Sequence, residues 1–263
     1  MIAQNVEQTK SSPPGISSSV PDGLDAGGPS VSEAIAVVVA AGYGRRLGST
    51  QPKAWVSLQG RPLLTWTLEA LGRWDGWTRW VVVHPPGVEP QDLRAVETAV
   101  PAHPPIRWVP GGTRRQDSVW NGLRAVRASD DSVVMVHDGA RPFVPVALIR
   151  RLWEAVQITG AAIPVIPVSE TVKAVEDRRV VQTLDRDRLF LSQTPQAFRL
   201  GLLRRAYRLV REQGETVTDE AAAVERLGHP VTAVEGFRWN VKVTYPEDLR
   251  LAAWLIDVGI LAE

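Results

Sequence analysis

A chain of 263 residues with 44% apolar and 22% charged residues can build one α/β domain with an appendage, and it is too apolar to stay unfolded. Thirty basic against 29 acidic side chains leave a net charge of +1, so there is no general field for gripping nucleic acid or an anionic membrane, and any phosphate binding must be local. The absence of cysteine excludes disulfide scaffolds, thiolate metal sites and cysteine nucleophiles. No run reaches the ~18 apolar residues of a bilayer span, and no basic region followed by an apolar one marks a signal peptide. The expectation is a cytoplasmic protein with neither membrane nor nucleic acid among its partners.

Residues 1–32 are rich in Ser, Pro, Gly and Asp with scattered apolar positions, which predicts a disordered tail ahead of a body spanning 33–263. At Ala34 the texture changes to Ala-Ile-Ala-Val-Val-Val-Ala-Ala41, the continuous small and β-branched pattern of a strand buried on both faces. Similar runs at 80–83, 106–109, 132–137 and 161–166 alternate with helical periodicity at 62–73, 90–100, 116–127 and 144–159. This alternation predicts a doubly wound, mostly parallel α/β sheet. Ligands of such sheets sit beyond the carboxyl ends of the strands, so the loops after Ala41, Val109 and His137 form the candidate site.

After Ile166 the rhythm breaks. Residues 167–175, a polar Glu176-Asp-Arg-Arg179 turn and 180–184 predict a hairpin excursion, an arm over about 167–185. Helices near 200–212, 219–227 and 246–256 and a strand near 231–235 complete the body.

The strongest local feature is Ala40-Ala-Gly-Tyr-Gly-Arg-Arg-Leu-Gly48, followed by Gln51-Pro-Lys53. Glycines just after a strand let backbone amides close around an anion, and the basic side chains add charge suited to a triphosphate. The dinucleotide fingerprint G-x-G-x-x-G needs glycine where Leu47 stands, and the Walker sequence occurs nowhere. Taken alone, the loop is also compatible with a glycine-rich turn carrying solvated charges.

Its order resembles the signature of the sugar-phosphate nucleotidyltransferases. Gly111-Gly-Thr-Arg-Arg-Gln-Asp-Ser118, Val136-His-Asp-Gly-Ala-Arg-Pro142, Glu170-Thr-Val-Lys173, Thr183-Leu-Asp-Arg186, Thr194-Pro-Gln196, Thr218-Asp-Glu220 and Asn240-Val-Lys-Val-Thr244 then follow in the order of the 2-C-methyl-D-erythritol 4-phosphate cytidylyltransferase family. The resemblance implies the Rossmann-like nucleotidyltransferase fold with a protruding β-hairpin dimerisation arm. It implies transfer of CMP from CTP to a polyol phosphate in non-mevalonate isoprenoid precursor biosynthesis. Ribitol-5-phosphate cytidylyltransferase is the alternative reading, and a non-catalytic nucleotide-binding module a more distant one.

By the same resemblance, the backbone of Ala40, Ala41, Gly42 and Gly44 cradles the CTP phosphates, and Arg46, Lys53 and Lys242 are catalytic. Gly111, Gly112 and Ser118 would recognise cytosine and ribose. Asp138 would bind Mg2+ or another divalent cation, orient the acceptor, or both. Arg141, Thr171, Arg186, Thr194 and Thr218, with Lys242, would hold the acceptor phosphate, and a homodimer would form as the arm of one subunit embraces the other. Thr113 stands where relatives often carry an acid, and Gly139 where they often carry alanine, a change expected to leave its loop permissive. Asp117 or Gln116 has the simpler alternative of starting a helix. His137, with no second His or Cys at ligand spacing, reads as a packed strand residue.

Overall fold

In chain order the strands are β1 (Ala34–Val39), β2 (Ser57–Leu58), β3 (Arg61–Pro62), β4 (Trp77–His84), β5 (Ile106–Pro110), β6 (Val133–Asp138), β7 (Ala161–Pro167), β8 (Lys173–Glu176), β9 (Arg179–Thr183), β10 (Phe190–Ser192), β11 (Gln196–Arg199) and β12 (Thr232–Glu235). The helices are α1 (Leu63–Gly72), α2 (Pro90–Thr98), α3 (Arg115–Ala125), α4 (Val146–Thr159), α5 (Leu200–Glu212), α6 (Glu220–Glu225) and α7 (Pro246–Asp257). They come from a computed structural model that describes residues 33–48, 51–101 and 103–260; the tail expected over 1–32 lies outside the described residues.

The central strand explains its own sequence. Along β1, Ala34, Ala36 and Val38 pack with Leu64, Leu68, Leu148 and Leu152 on one face, while Ile35 and Val37 pack with Val119, Leu123, Phe198 and Tyr207 on the other. Two buried faces leave no polar alternation, hence the unbroken apolar run. The sheet order is β10-β7-β11-β6-β1-β4-β5, with β12 parallel to β7. β1 is parallel to β4 on one side and to β6 on the other, and β5 continues beyond β4. The chain therefore winds outward in one direction through β4 and β5 and begins again at β6, so the topological switch point falls between β1 and β6.

The sequence reading lacks β11, which inserts antiparallel between β6 and β7. It is four residues long, too short to show a period, and its buried Ala197 and Phe198 read equally well as a loop packed on the core. The switch point is unaffected.

A smaller apolar cluster lies over the loops. Leu47, Leu58, Leu63, Ala140, Phe143, Val243, Ala252 and Leu255 come from the first loop, β2, α1, the loop after β6, the 240–244 segment and α7. Val241 and Val243 both face it, so Lys242 between them points the other way, as alternation in an extended segment requires.

Pro167–Phe190 form a unit of their own, distinct from the body. Within it β8 and β9 pair antiparallel, Lys173 opposite Thr183 and Glu176 opposite Arg179. The two-residue turn puts Asp177 and Arg178 at φ 46° and 64°, the left-handed pair of a type I′ hairpin. Val175, Val180 and Val181 are each more than half exposed.

Candidate active site

The backbone at the switch point brings three loops to one level. Ala40 donates its N–H to Val83 O at 2.8 Å, Gly139 to Val39 O at 2.9 Å, and Gly111 to His84 O at 2.8 Å. These loops touch. A Cβ at position 111 would fall 2.3 Å from the Ala41 Cβ and 2.9 Å from the Ser118 hydroxyl, and one at 139 would fall 3.0 Å from the Ala40 Cβ. Gly139 is thus a close-approach position, tighter than the sequence reading assumed. Gly111→Ala is expected to push the first loop off its position, costing about 1–3 kcal/mol of stability and raising KM for CTP about tenfold or more. A thermal melt and CTP saturation kinetics on the purified variant check both.

Asp138 ends β6 at the centre of the cations. Its Oδ2 lies 2.7 Å from Lys242 Nζ and 3.6 Å from Arg141 Nε, and its Oδ1 accepts from Arg115 Nε at 3.2 Å. Burial would raise this carboxyl, but Arg115, Lys242 and Arg141 outweigh it and hold it well below the usual carboxylate range. Arg141 is anchored in turn, donating to Asn240 O at 2.8 Å.

Lys53 follows Pro52 in a short 3-10 turn, its N–H bonded to Gly42 O at 3.0 Å, so the glycine loop and the lysine move as one piece. Its ammonium donates to Thr244 Oγ1 at 3.3 Å. Burial, and then repulsion from Lys242 with a further part from Arg46, lower Lys53 to about 8 despite Asp138. The exposed Arg46 guanidinium lies 5.6 Å from the centroid of the Tyr245 ring. A lysine is charged below its pKa, so kcat/KM for CTP, which reports the free enzyme, is expected to fall as pH rises above about 8. Lys53→Arg keeps its charge and should remove that limb. A pH–rate series on both proteins checks this.

The residues beneath Asp138 form a chain whose proton positions follow from geometry. His137 Nε2 faces the Arg141 carbonyl at 3.1 Å and must donate, so Nδ1 accepts from the Thr194 hydroxyl at 3.1 Å, and Thr194 Oγ1 accepts the Asp138 N–H at 3.1 Å. Complete burial lowers His137 to about 4, so the ring is neutral at pH 7 and every polar atom is used. His137 is the packed residue expected from its strand.

A sequence model of the 2-C-methyl-D-erythritol 4-phosphate cytidylyltransferase family matches residues 34–257. The chain belongs to this family. A 2-C-methyl-D-erythritol 4-phosphate cytidylyltransferase of Syntrophotalea carbinolica is 41% identical over 230 residues, covering 84% of this chain and 95% of the relative. One from Bacillus velezensis is 40% identical over 221 residues, covering 84% and 94%. The crystal structure of 2-C-methyl-D-erythritol 4-phosphate cytidylyltransferase from Thermus thermophilus matches with a TM-score of 0.70 at 39% identity, over 84% of this chain and 98% of that one.

In this cytidylyltransferase the structure brings together Lys53, Asp138, Arg141, Thr194 and Lys242, with the Ala40–Gly44 and Gly111–Gly112 backbones beside them. Two hydroxyls expected to meet ligands are turned inward. Ser118 is buried, accepting from Gly112 N at 3.1 Å and donating to Arg114 O at 3.2 Å, so it shapes the loop. The buried Thr194 hydroxyl is occupied by Asp138 and His137 and acts as a support. Asp117 caps α3, accepting the Arg114 N–H at 3.2 Å. Thr218 is exposed just before α6, and Thr171 and Arg186 belong to the 167–190 unit, where Arg186 donates to Ser169 O at 2.8 Å.

Sequence reasoning assigned no role to Arg115, Glu220 or Thr244, although all three stand inside the family segments quoted above. Burial would lower the Arg115 guanidinium, but Glu220 and Asp138 overcome this and keep it charged.

The cytidylyltransferase residues do not build a cage for a resident metal ion. Among the described residues no three His, Cys, Asp or Glu converge, and both oxygens of Asp138 are already engaged by cations. Magnesium keeps several waters and is commonly held by one or two carboxylates together with substrate phosphates, so Asp138 would fit such an ion only alongside the phosphates of a bound nucleotide.

Proposed function

We infer that this enzyme transfers CMP from CTP to 2-C-methyl-D-erythritol 4-phosphate, giving 4-diphosphocytidyl-2-C-methyl-D-erythritol and pyrophosphate in non-mevalonate isoprenoid precursor biosynthesis. The observation that carries it is the grouping of Lys53, Arg141 and Lys242 around Asp138 at the switch point, in a chain of this family. An oxygen of the acceptor phosphate attacks the α-phosphorus, the bond from that phosphorus to the bridging oxygen breaks, and pyrophosphate carries the charge away. Such a transfer needs positioning and fixed positive charge more than covalent help. Arg46 within the glycine loop and Lys53 just after it supply charge to the triphosphate, and Lys242 balances the reacting phosphates. The acceptor phosphate needs no general base, so Asp138 acts as an orienting carboxylate held ionised. Magnesium enters as part of the nucleotide substrate and neutralises phosphate charge there. We place the reaction in the cytoplasm; among the described residues no helix is long and apolar enough to cross a membrane.

The acceptor is tested by competition. With CTP saturating, kcat/KM for 2-C-methyl-D-erythritol 4-phosphate should exceed that for ribitol 5-phosphate by at least about a hundredfold, the scale that shape alone reaches and that hydrogen bonds to particular hydroxyls exceed. Equal values would return the reading to the ribitol alternative.

A homodimer belongs to the same reading. A two-stranded ribbon with Val175, Val180 and Val181 exposed is marginal by itself and suits a second copy. Thr171 and Arg186 of one copy would then serve the nucleotide loop of the other. Lys53→Ala and Arg186→Ala chains, co-refolded in equal amounts, should recover roughly a quarter of wild-type activity, because half the dimers carry one intact site. No recovery, with heterodimers confirmed by two tags, would place each site in one chain.

A further inference from the structure

Glu220 is completely buried, yet no step above uses it. It opens α6, whose first turn is fastened from two sides. Asp219 accepts the Ala222 N–H at 3.0 Å, and Gln196 accepts the Ala221 N–H at 3.0 Å while donating to Asp219 Oδ2 at 2.9 Å. From this fixed turn the Glu220 carboxylate receives the two terminal nitrogens of Arg115 at 2.8 and 3.1 Å and the Tyr207 hydroxyl at 3.0 Å.

A bidentate grip fixes the plane and direction of a guanidinium. With both terminal nitrogens held by Glu220, the Nε edge of Arg115 faces Asp138 Oδ1 at 3.2 Å, and Oδ2 is left to Lys242 and Arg141. The two oxygens of Asp138 are thereby assigned to different cations. Stability alone does not call for such a pair, since a buried ion pair is commonly no better than a well-packed apolar replacement.

We propose that Glu220 is a positioning residue for the cytidylyl transfer, setting the orientation of Asp138 through Arg115 and, through Asp138, the place of the Lys242 ammonium. The proposal rests on the function inferred above. Glu220 touches neither substrate; its effect reaches the chemistry only through Asp138.

That dependence gives the test. Glu220→Gln keeps the volume but ends the charged two-point grip on Arg115. In single-turnover reactions with CTP, magnesium and 2-C-methyl-D-erythritol 4-phosphate, enzyme in excess, its rate should fall about tenfold or more, while KM for CTP, measured separately in the steady state, stays within about threefold. In an Asp138→Asn background the same change should cost no more than about twofold, because the group it orients is already gone. If Glu220→Gln does not fold, Tyr207→Phe, which removes one donor to Glu220 Oε1, carries the same cycle with an expected loss of about two- to fivefold that vanishes beside Asp138→Asn. Equal losses in both backgrounds, or a folded Glu220→Gln at the wild-type rate, would overturn the proposal. Lack of turnover by the wild type would instead remove the function it rests on.

Discussion

Lys53→Ala is expected to lose at least about a hundredfold in kcat while melting no lower than wild type, because it removes a preorganised cation that charge development at the leaving group requires. The two halves of this expectation have one origin. Lys53 is held partly buried beside Lys242 and Arg46, and its lowered pKa means that folding disfavours its charged form. The fold carries this charge at a cost to stability, so truncating it relieves repulsion and leaves a catalytic defect alone. Steady-state kinetics and a thermal melt on one preparation check it, and near-normal turnover in a folded variant would remove Lys53 from the mechanism.

Asp138→Asn should behave in the opposite way on stability. The carboxylate stands among Lys242, Arg141 and Arg115, and the amide leaves those cations facing one another. The expected loss is about 2–4 kcal/mol, below the 3–5 of a wholly buried pair because Lys242 and Arg115 are part-exposed. It comes with a fall in kcat of about a hundredfold or more, since Lys242 loses its fixed partner. The sign with pH is definite. The folded carboxyl lies below its unfolded value, so its stabilisation is present at neutral pH and begins to fade only as pH falls below the unfolded value of ~4. Melts at pH 7 should therefore separate wild type from variant widely, and the gap should narrow in acid. A gap that widened in acid would mean that the carboxyl is not held ionised by its neighbours.

What the sequence revealed follows from which forces write a pattern. β1 and β6 are buried on both faces and α5 runs a full amphipathic stretch, so their positions are legible in apolar spacing. β11 is not, because its place between β6 and β7 is decided by pairing with Val133–Val136 and not by any period in four residues. At the site, Lys53 and Asp138 are legible because glycines and a strand end announce them, whereas Lys242 is legible only through the family segment Asn240–Thr244 in which it stands. Glu220 is not, because its partner Arg115 lies 105 residues away and nothing local marks either as half of a pair. Ser118 and Thr194 show the same limit, since a hydroxyl gives no sign in sequence of whether it faces a ligand or the protein.

The central claim is most directly tested by following phosphorus in one tube. Purified protein with CTP, magnesium and 2-C-methyl-D-erythritol 4-phosphate, observed by phosphorus NMR, should convert the acceptor monoester and the nucleotide into a diphosphodiester and pyrophosphate in equal amounts, and should leave CTP intact when the acceptor is omitted. Hydrolysis of CTP without a diphosphodiester, or no reaction by a folded protein, would contradict it.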